Sequence, residues 1–222
     1  MVNTNDPMHQ FVIERWAPLT IGGYDLSFTN SAFFLTAALL IPGSTIAIQN
    51  VGLNPTRSAL LDFLLSIGAP VRVTRIESSG GELVGDIEVA HAPVRGGVIE
   101  KAMTAALIDE IPVLAVLGAM SQQGLEVRDA HELRIKETDR IATIAENLGR
   151  MGVQVETTAD GLRVPGQQKF RGAQLDSFGD HRIAMAFAVA ALAAEGESEI
   201  EHAEAASVSF PAFWETLESM RY

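Results

Sequence analysis

Three stretches of the chain share one order: an Ala-rich apolar run of helical length, a glycine, then a short segment in which apolar and polar side chains alternate. They are SAFFLTAALLIPGSTIAIQNV from Ser31 to Val51, IPVLAVLGAMSQQGLEVRDA from Ile111 to Ala130, and HRIAMAFAVAALAAEGESEIEHA from His181 to Ala203. Gly43, Gly124 and Gly196 hold equivalent places, each fitting a helix C-terminal cap or the turn after it. The segments beyond these alternating stretches repeat as well. Asn54-Pro55 reads as an N-cap and first helical position of a helix running to about Ser66, which Gly68 ends. The matching helix of the second copy runs from about Thr138 to Met151 and stops at Gly152, and a third begins near Pro211. Strand-like VRVTRI from Val71 and VQVETT from Val153 come next, leading to further β segments near Leu83–Ala90 and Leu162–Val164.

The repeating unit is therefore strand, helix, strand, helix, then two strands. This predicts a mixed α+β or α/β fold: a single globular domain over residues 21–222, built of βαβαββ units with helices inside and sheets outside. The last copy stops after its second helix, so its sheet lacks a partner, and FVIERWAPLTI near the N-terminus is the local candidate. Residues 1–20 are expected as a separate N-terminal segment, partly disordered, that completes a sheet.

Composition changes the picture by exclusion. With 47% apolar and 20% charged residues the chain can bury a substantial core. A formal charge of −12 disfavours broad electrostatic binding of nucleic acid. The absence of cysteine excludes disulfides, thiolate metal sites and a cysteine nucleophile, and fits a reducing compartment. Ile183–Ala194, the longest apolar run, is too short for the roughly 20 residues of a bilayer-crossing helix, so no membrane association is expected. The opening MVNTNDPMHQ lacks a basic start and apolar centre, which predicts a cytoplasmic location. Five scattered histidines show no ligand spacing, so no metal is expected, and glycine-rich phosphate loops and serine nucleophile elbows are missing.

Two charged knots interrupt this apolar pattern. LRIKETDR, from Leu133 to Arg140, sits at a strand-to-helix junction and offers Lys136, Glu137 and Arg140 to one small anion. Asp180-His181-Arg182 opens the third apolar helix, with Asp180 as its N-cap. A solvated ion pair between Glu137 and Arg140, three residues apart on one helical face, is the simpler alternative. Against it, an arginine in a first helical turn opposes the helix dipole unless an anion is present. Arg57, Arg140 and Arg182 each stand at such a start, which suggests one shared anion-binding centre. Asp109 is either the N-cap of the second apolar helix or a base aimed at a substrate hydroxyl.

The blocks NPTR (Asn54–Arg57), LIDEIPVLA (Leu107–Ala115), LRIKETDRI (Leu133–Ile141), DSFGDHRIAMAFAVAAL (Asp176–Leu192) and SFPAFWETL (Ser209–Leu217) stand in an order that resembles the C-terminal half of the 5-enolpyruvylshikimate-3-phosphate synthase family. The resemblance implies an enolpyruvyl transferase-like fold and transfer of the carboxyvinyl group of phosphoenolpyruvate to the 5-hydroxyl of shikimate-3-phosphate, with no cofactor. By matched position Asp109, Glu137 and His181 are the implied catalytic groups: base for the 5-hydroxyl, proton shuttle at the methylene, and phosphate-side relay. Lys136, Arg140 and Arg182 are the implied substrate-binding cations.

Departures from the family pattern are equally specific. Val208 stands where the family usually places a lysine, and LSFTNSAFF from Leu26 replaces a GDxSSAAFF-like segment. The family's other domain has no counterpart here, so the expectation is a half-enzyme, weak or silent alone, whose partners are a complementary N-terminal half or a second copy of itself. A catalytically dead anion-binding module of the same fold is the alternative. A related UDP-N-acetylglucosamine enolpyruvyl transferase and an RNA-terminal phosphate cyclase share the fold but fit the KETDR and GDHR blocks less well.

Overall fold

The computed structural model describes residues 11–13, 20–21, 28–53, 59–79 and 82–220. The helix start at Asn54-Pro55 with Arg57, the segment before Phe28, and most of residues 1–20 lie outside them.

Among the described residues, one topology occurs twice in full. In the first unit β2 (Thr20–Ile21), α1 (Phe28–Leu40), β3 (Thr45–Gly52), α2 (Ala59–Ser66), β4 (Val71–Ser79) and β5 (Glu82–Ala90) follow in order. β2 lies parallel to β3, β3 antiparallel to β5, and β5 antiparallel to β4, in the sheet order β2-β3-β5-β4. The second unit runs through β6 (Gly97–Ile99), the short α3 (Ala102–Ala106), α4 (Ile111–Met120), β7 (Leu125–Val127), α5 (Arg140–Arg150), β8 (Glu156–Thr158) and β9 (Gly161–Val164). Its order, β6-β7-β9-β8, has the same pattern of parallel and antiparallel pairs.

The third unit comprises β10 (Gln174–Asp176), α6 (His181–Leu192), β11 (Ser198–Glu201) and α7 (Phe213–Ser219). There β10 is parallel to β11, and β1 (Phe11–Ile13) lies antiparallel on the far side of β11, in register Phe11 with Ile200. In the sheet order β1 occupies the position that β5 and β9 hold in the other two units.

Side-chain chemistry explains the layering. α4 is apolar all round and is buried along its length, as a helix without a polar face must be. α6 is rich in alanine, which lets neighbouring backbones approach, and α1, α4 and α6 touch one another pairwise at the centre. α5 is amphipathic instead: Ile141, Ile144 and Leu148 face inward while Glu146 and Arg150 meet solvent. The strands alternate between faces, as in β11, where Ser198 and Ile200 are buried and their neighbours are half-buried. Helices inside and sheets outside is thus the observed arrangement. Gly43, Gly124 and Gly196 all have positive φ. At Gly124 (φ 89°) a Cβ would also sit 2.2 Å from the Val164 carbonyl, so the turn between α4 and β7 requires glycine there.

Two details differ from the sequence reading. α5 begins at Arg140, with Asp139 as the N-cap accepting from the Ala142 amide, so Glu137 lies before the helix. Its pairing with Arg140 across three residues is real, but a bend creates it and not a shared helical face. Asp109 is not the cap of α4 either; Glu110 holds that position, with Pro112 at the second helical residue.

Candidate active site

The starts of α4, α5 and α6 converge on one guanidinium. Arg140 is 1% exposed, and each of its nitrogens is engaged by a carboxylate. Nε donates to Asp180 Oδ2 at 2.8 Å, Nη1 to Asp109 Oδ1 at 3.0 Å, and Nη2 to Glu137 Oε2 at 2.6 Å and Asp180 Oδ1 at 3.3 Å. A buried cation demands such satisfaction, because an uncompensated charge in a low dielectric costs several kcal/mol. Desolvation works against the charged guanidinium, but the Asp180 hydrogen bond and charge, with Glu137 and Asp109, overcome it and raise its pKa.

Asp180 ties the second unit to the third. Fully buried, it caps α6 by accepting from the amides of Arg182 at 2.8 Å and Ile183 at 3.4 Å, as its position in the sequence predicts. Its other oxygen also accepts from Thr138 Oγ1 at 3.2 Å. Sequence reading finds the cap and misses the ion pair, since 40 residues separate Asp180 from Arg140. The supporting role of Arg134 is equally hidden in the sequence. It donates to Asp139 at 2.7 Å and to the carbonyls of Thr158 and Ala159, clamping the Lys136–Asp139 bend onto the β8–β9 turn.

The remaining candidate residues line this hub. Lys136 Nζ lies 4.0 Å from Asp109 Oδ1, and His181 Nδ1 lies 3.9 Å from Glu137 Oε1. Burial alone would raise the Asp109 carboxyl; the Arg140 hydrogen bond and the charges of Arg182, Arg140 and Lys136 outweigh it and hold the group below its ordinary range. For His181, burial and then the neighbouring Arg182 push the imidazole down, so it is neutral at neutral pH. The side chains of Glu137 and Asp109 are 47% and 40% exposed, which leaves them accessible to a ligand.

Arg182 differs from Arg140 in one decisive way. It is 8% exposed, yet its Nε and Nη1 have no hydrogen-bond partner among the described residues. Its guanidinium carbon lies 5.9 Å from the Phe33 ring centre, against the first part of α1. Burial lowers its pKa, while Asp109 and Glu110 attract it without hydrogen-bonding those two nitrogens. A buried, always-charged group with unmet donors has the chemistry to engage an anion. Val208, by contrast, is 78% exposed at the end of the 3₁₀ helix Ala203–Val208, just before Ser209, whose carbonyl accepts from Asn30 in α1.

One further cluster escapes the sequence reading. Asp176 ends β10, Glu201 ends the adjacent β11 and His202 follows it, and their ligand-type atoms lie within 4.8 Å of one another. His202 Nδ1 is 2.9 Å from Asp176 Oδ1, and this contact raises the histidine's pKa. The same oxygen accepts from the Phe178 amide, so the cluster is engaged in holding the loop before α6.

Comparison with known proteins identifies the family. A family model for EPSP synthase (3-phosphoshikimate 1-carboxyvinyltransferase) matches residues 25–217. The 3-phosphoshikimate 1-carboxyvinyltransferase of Solibacter usitatus is 64% identical over 86% of this chain and 45% of its own length. That of Koribacter versatilis is 51% identical over 85% and 44%. An EPSP synthase structure from Acinetobacter baumannii superposes with a TM-score of 0.83 at 32% identity, covering 88% of this chain and 46% of the other. The enolpyruvyl transferase NikO from Streptomyces tendae, at 19% identity and a TM-score of 0.67, shares the fold. The chain spans less than half the length of these relatives. With nearly its whole length matched by the family model, and the repeated unit and helix-start site in place, the chain belongs to the EPSP synthase family.

Proposed function

We propose that this chain supplies one half of the active site for transferring the carboxyvinyl group of phosphoenolpyruvate to the 5-hydroxyl of shikimate-3-phosphate. The observation that carries the reading is Arg182, a buried cation with two idle donors beside a carboxylate-ringed Arg140. Phosphoenolpyruvate presents a carboxylate and a phosphate, and guanidinium donors match both in paired geometry. In the addition step the 5-hydroxyl oxygen bonds to the central carbon, its proton leaves to a base, and the methylene carbon gains a proton. Elimination then releases phosphate and returns that proton to the protein. Asp109, ionised at neutral pH, is the base; Glu137 is the proton carrier at the methylene; His181, neutral and 3.9 Å from Glu137, relays protons on the phosphate side. Lys136, Arg140 and Arg182 hold the anionic groups.

The other wall of the pocket comes from a complementary N-terminal half, since this chain spans less than half of its relatives. Ile135, Phe178 and Val208, apolar side chains exposed next to Lys136, Asp180 and Ser209, fit coverage by that half or by a second copy. A second reading, an anion-binding module without turnover, is favoured by Val208 at the family's lysine position. Turnover of both substrates, assayed with the chain alone and with an N-terminal half from a relative, separates them. Phosphate release only in the mixture supports the transferase, whereas phosphoenolpyruvate binding with silence in both supports the module.

A further inference from the structure

The loop that presents Asp180, His181 and Arg182 is strained. Phe178 adopts φ 54° and Gly179 φ 77°, two successive left-handed residues, and the turn closes with the Asp180 amide donating to the Ser177 carbonyl at 2.9 Å. A bulky residue in that region persists only where its surroundings over-determine it.

Those surroundings lie on two sides: the Ser177 amide and hydroxyl donate to the Glu201 and His202 carbonyls at 3.1 and 2.9 Å, and the remaining ties come from α5. Asn147 is fully buried on that helix, two turns beyond Arg140. Its amide nitrogen donates to the Asp176 carbonyl at 2.8 Å, and its side-chain oxygen accepts from the Asp176 amide at 3.0 Å. Among the described residues β10 is an edge strand, bonded on one side to β11, so Asn147 satisfies both backbone groups of Asp176 as a neighbouring strand would. Fixed in this way, the Asp176 carboxylate accepts from the Phe178 amide at 2.7 Å. One turn further on, Arg150 lies 5.8 Å from the centre of the Phe178 ring and donates to the Gln174 carbonyl at 3.3 Å.

We infer that Asn147, seconded by Arg150, is a positioning residue: through Asp176 it holds the left-handed turn at Phe178 and so sets where Asp180 meets Arg140 and where Arg182 points. For ligand affinity the inference rests on the anion pocket proposed above; for loop order it stands alone. No substrate touches Asn147 in this account.

The test uses the whole chain, amide hydrogen exchange and calorimetric titration with phosphoenolpyruvate. Asn147→Ala should raise exchange at Phe178 through Ile183 at least tenfold more than in the cores of α4 and α6, and weaken phosphoenolpyruvate at least tenfold. Arg150→Ala, a half-exposed site that leaves the fold intact, should give the same localised pattern to a smaller extent. Leu148→Ala removes core packing from the same helix without a side-chain hydrogen bond, and should leave the loop no more exposed than the rest. Loop exchange unchanged relative to the core in both Asn147→Ala and Arg150→Ala would overturn the inference. Failure of the unaltered chain to bind phosphoenolpyruvate would overturn the pocket and leave exchange to decide the positioning role.

Discussion

Two buried arginines at neighbouring helix starts differ in their bonding. Every nitrogen of Arg140 is engaged by Asp109, Glu137 or Asp180, so it serves first to fix three carboxylates; Nε and Nη1 of Arg182 have no partner among the described residues, and under the proposed function they meet the ligand. Asp180→Ala should destabilise the chain by about 3–5 kcal/mol, measured by urea unfolding, because it strands a buried cation and removes a helix cap. A separate pH signature belongs to His202. Its pKa is raised above the ordinary 6.5 by the Asp176 hydrogen bond, so its contribution is complete below pH 6.5 and is lost as pH rises through the raised value. The urea midpoints of the chain and of His202→Gln should thus differ most on the acid side of 6.5 and converge as pH rises past the raised value. A difference that grows with pH would reverse the assignment. At this scale the sequence is unevenly legible. Capping by Asp180 follows from local spacing, while its salt bridge to Arg140 depends on how distant units pack and leaves no trace in either motif alone.

Elements are more legible than residues because the hydrophobic period recurs in all three units. The α4-Gly124-β7 connection shows the reason: an apolar helix, one residue free to take φ 89°, and an alternating strand form a pattern that little else satisfies. Gly124→Ala should cost at least about 1–2 kcal/mol from the left-handed backbone alone, with the Val164 carbonyl contact added, and urea unfolding measures it. Boundaries are harder to read. The KETD segment resembles the first turn of a helix because its charges are spaced as helical pairs, but Asp139 caps α5 and the preceding bend is held from outside by Arg134. For Asp109 the sequence leaves two alternatives open, cap or functional carboxylate. Glu110 takes the cap position and frees Asp109 to meet Arg140.

At the scale of the molecule, repetition places the charged knots together. Each unit sends one long apolar helix, α1, α4 or α6, into the centre, so the α4 and α6 starts meet, with the α5 start between them, although their residues lie 31 and 40 positions from Arg140. Under the proposed function this chain lines one side of the pocket, and positioning is what such a transfer depends on. Steady-state phosphate release from the chain alone should therefore fall at least about a hundredfold below that of the chain mixed with a complementary half. Equal rates would show that the half-site suffices. The central claim is that Arg182 is an anion socket, and calorimetric titration of phosphoenolpyruvate into the chain and into Arg182→Ala tests it most directly. The account predicts measurable binding to the first and at least a tenfold loss in the second, about 1.4 kcal/mol or more, with the fold retained. Equal affinity in both would contradict it.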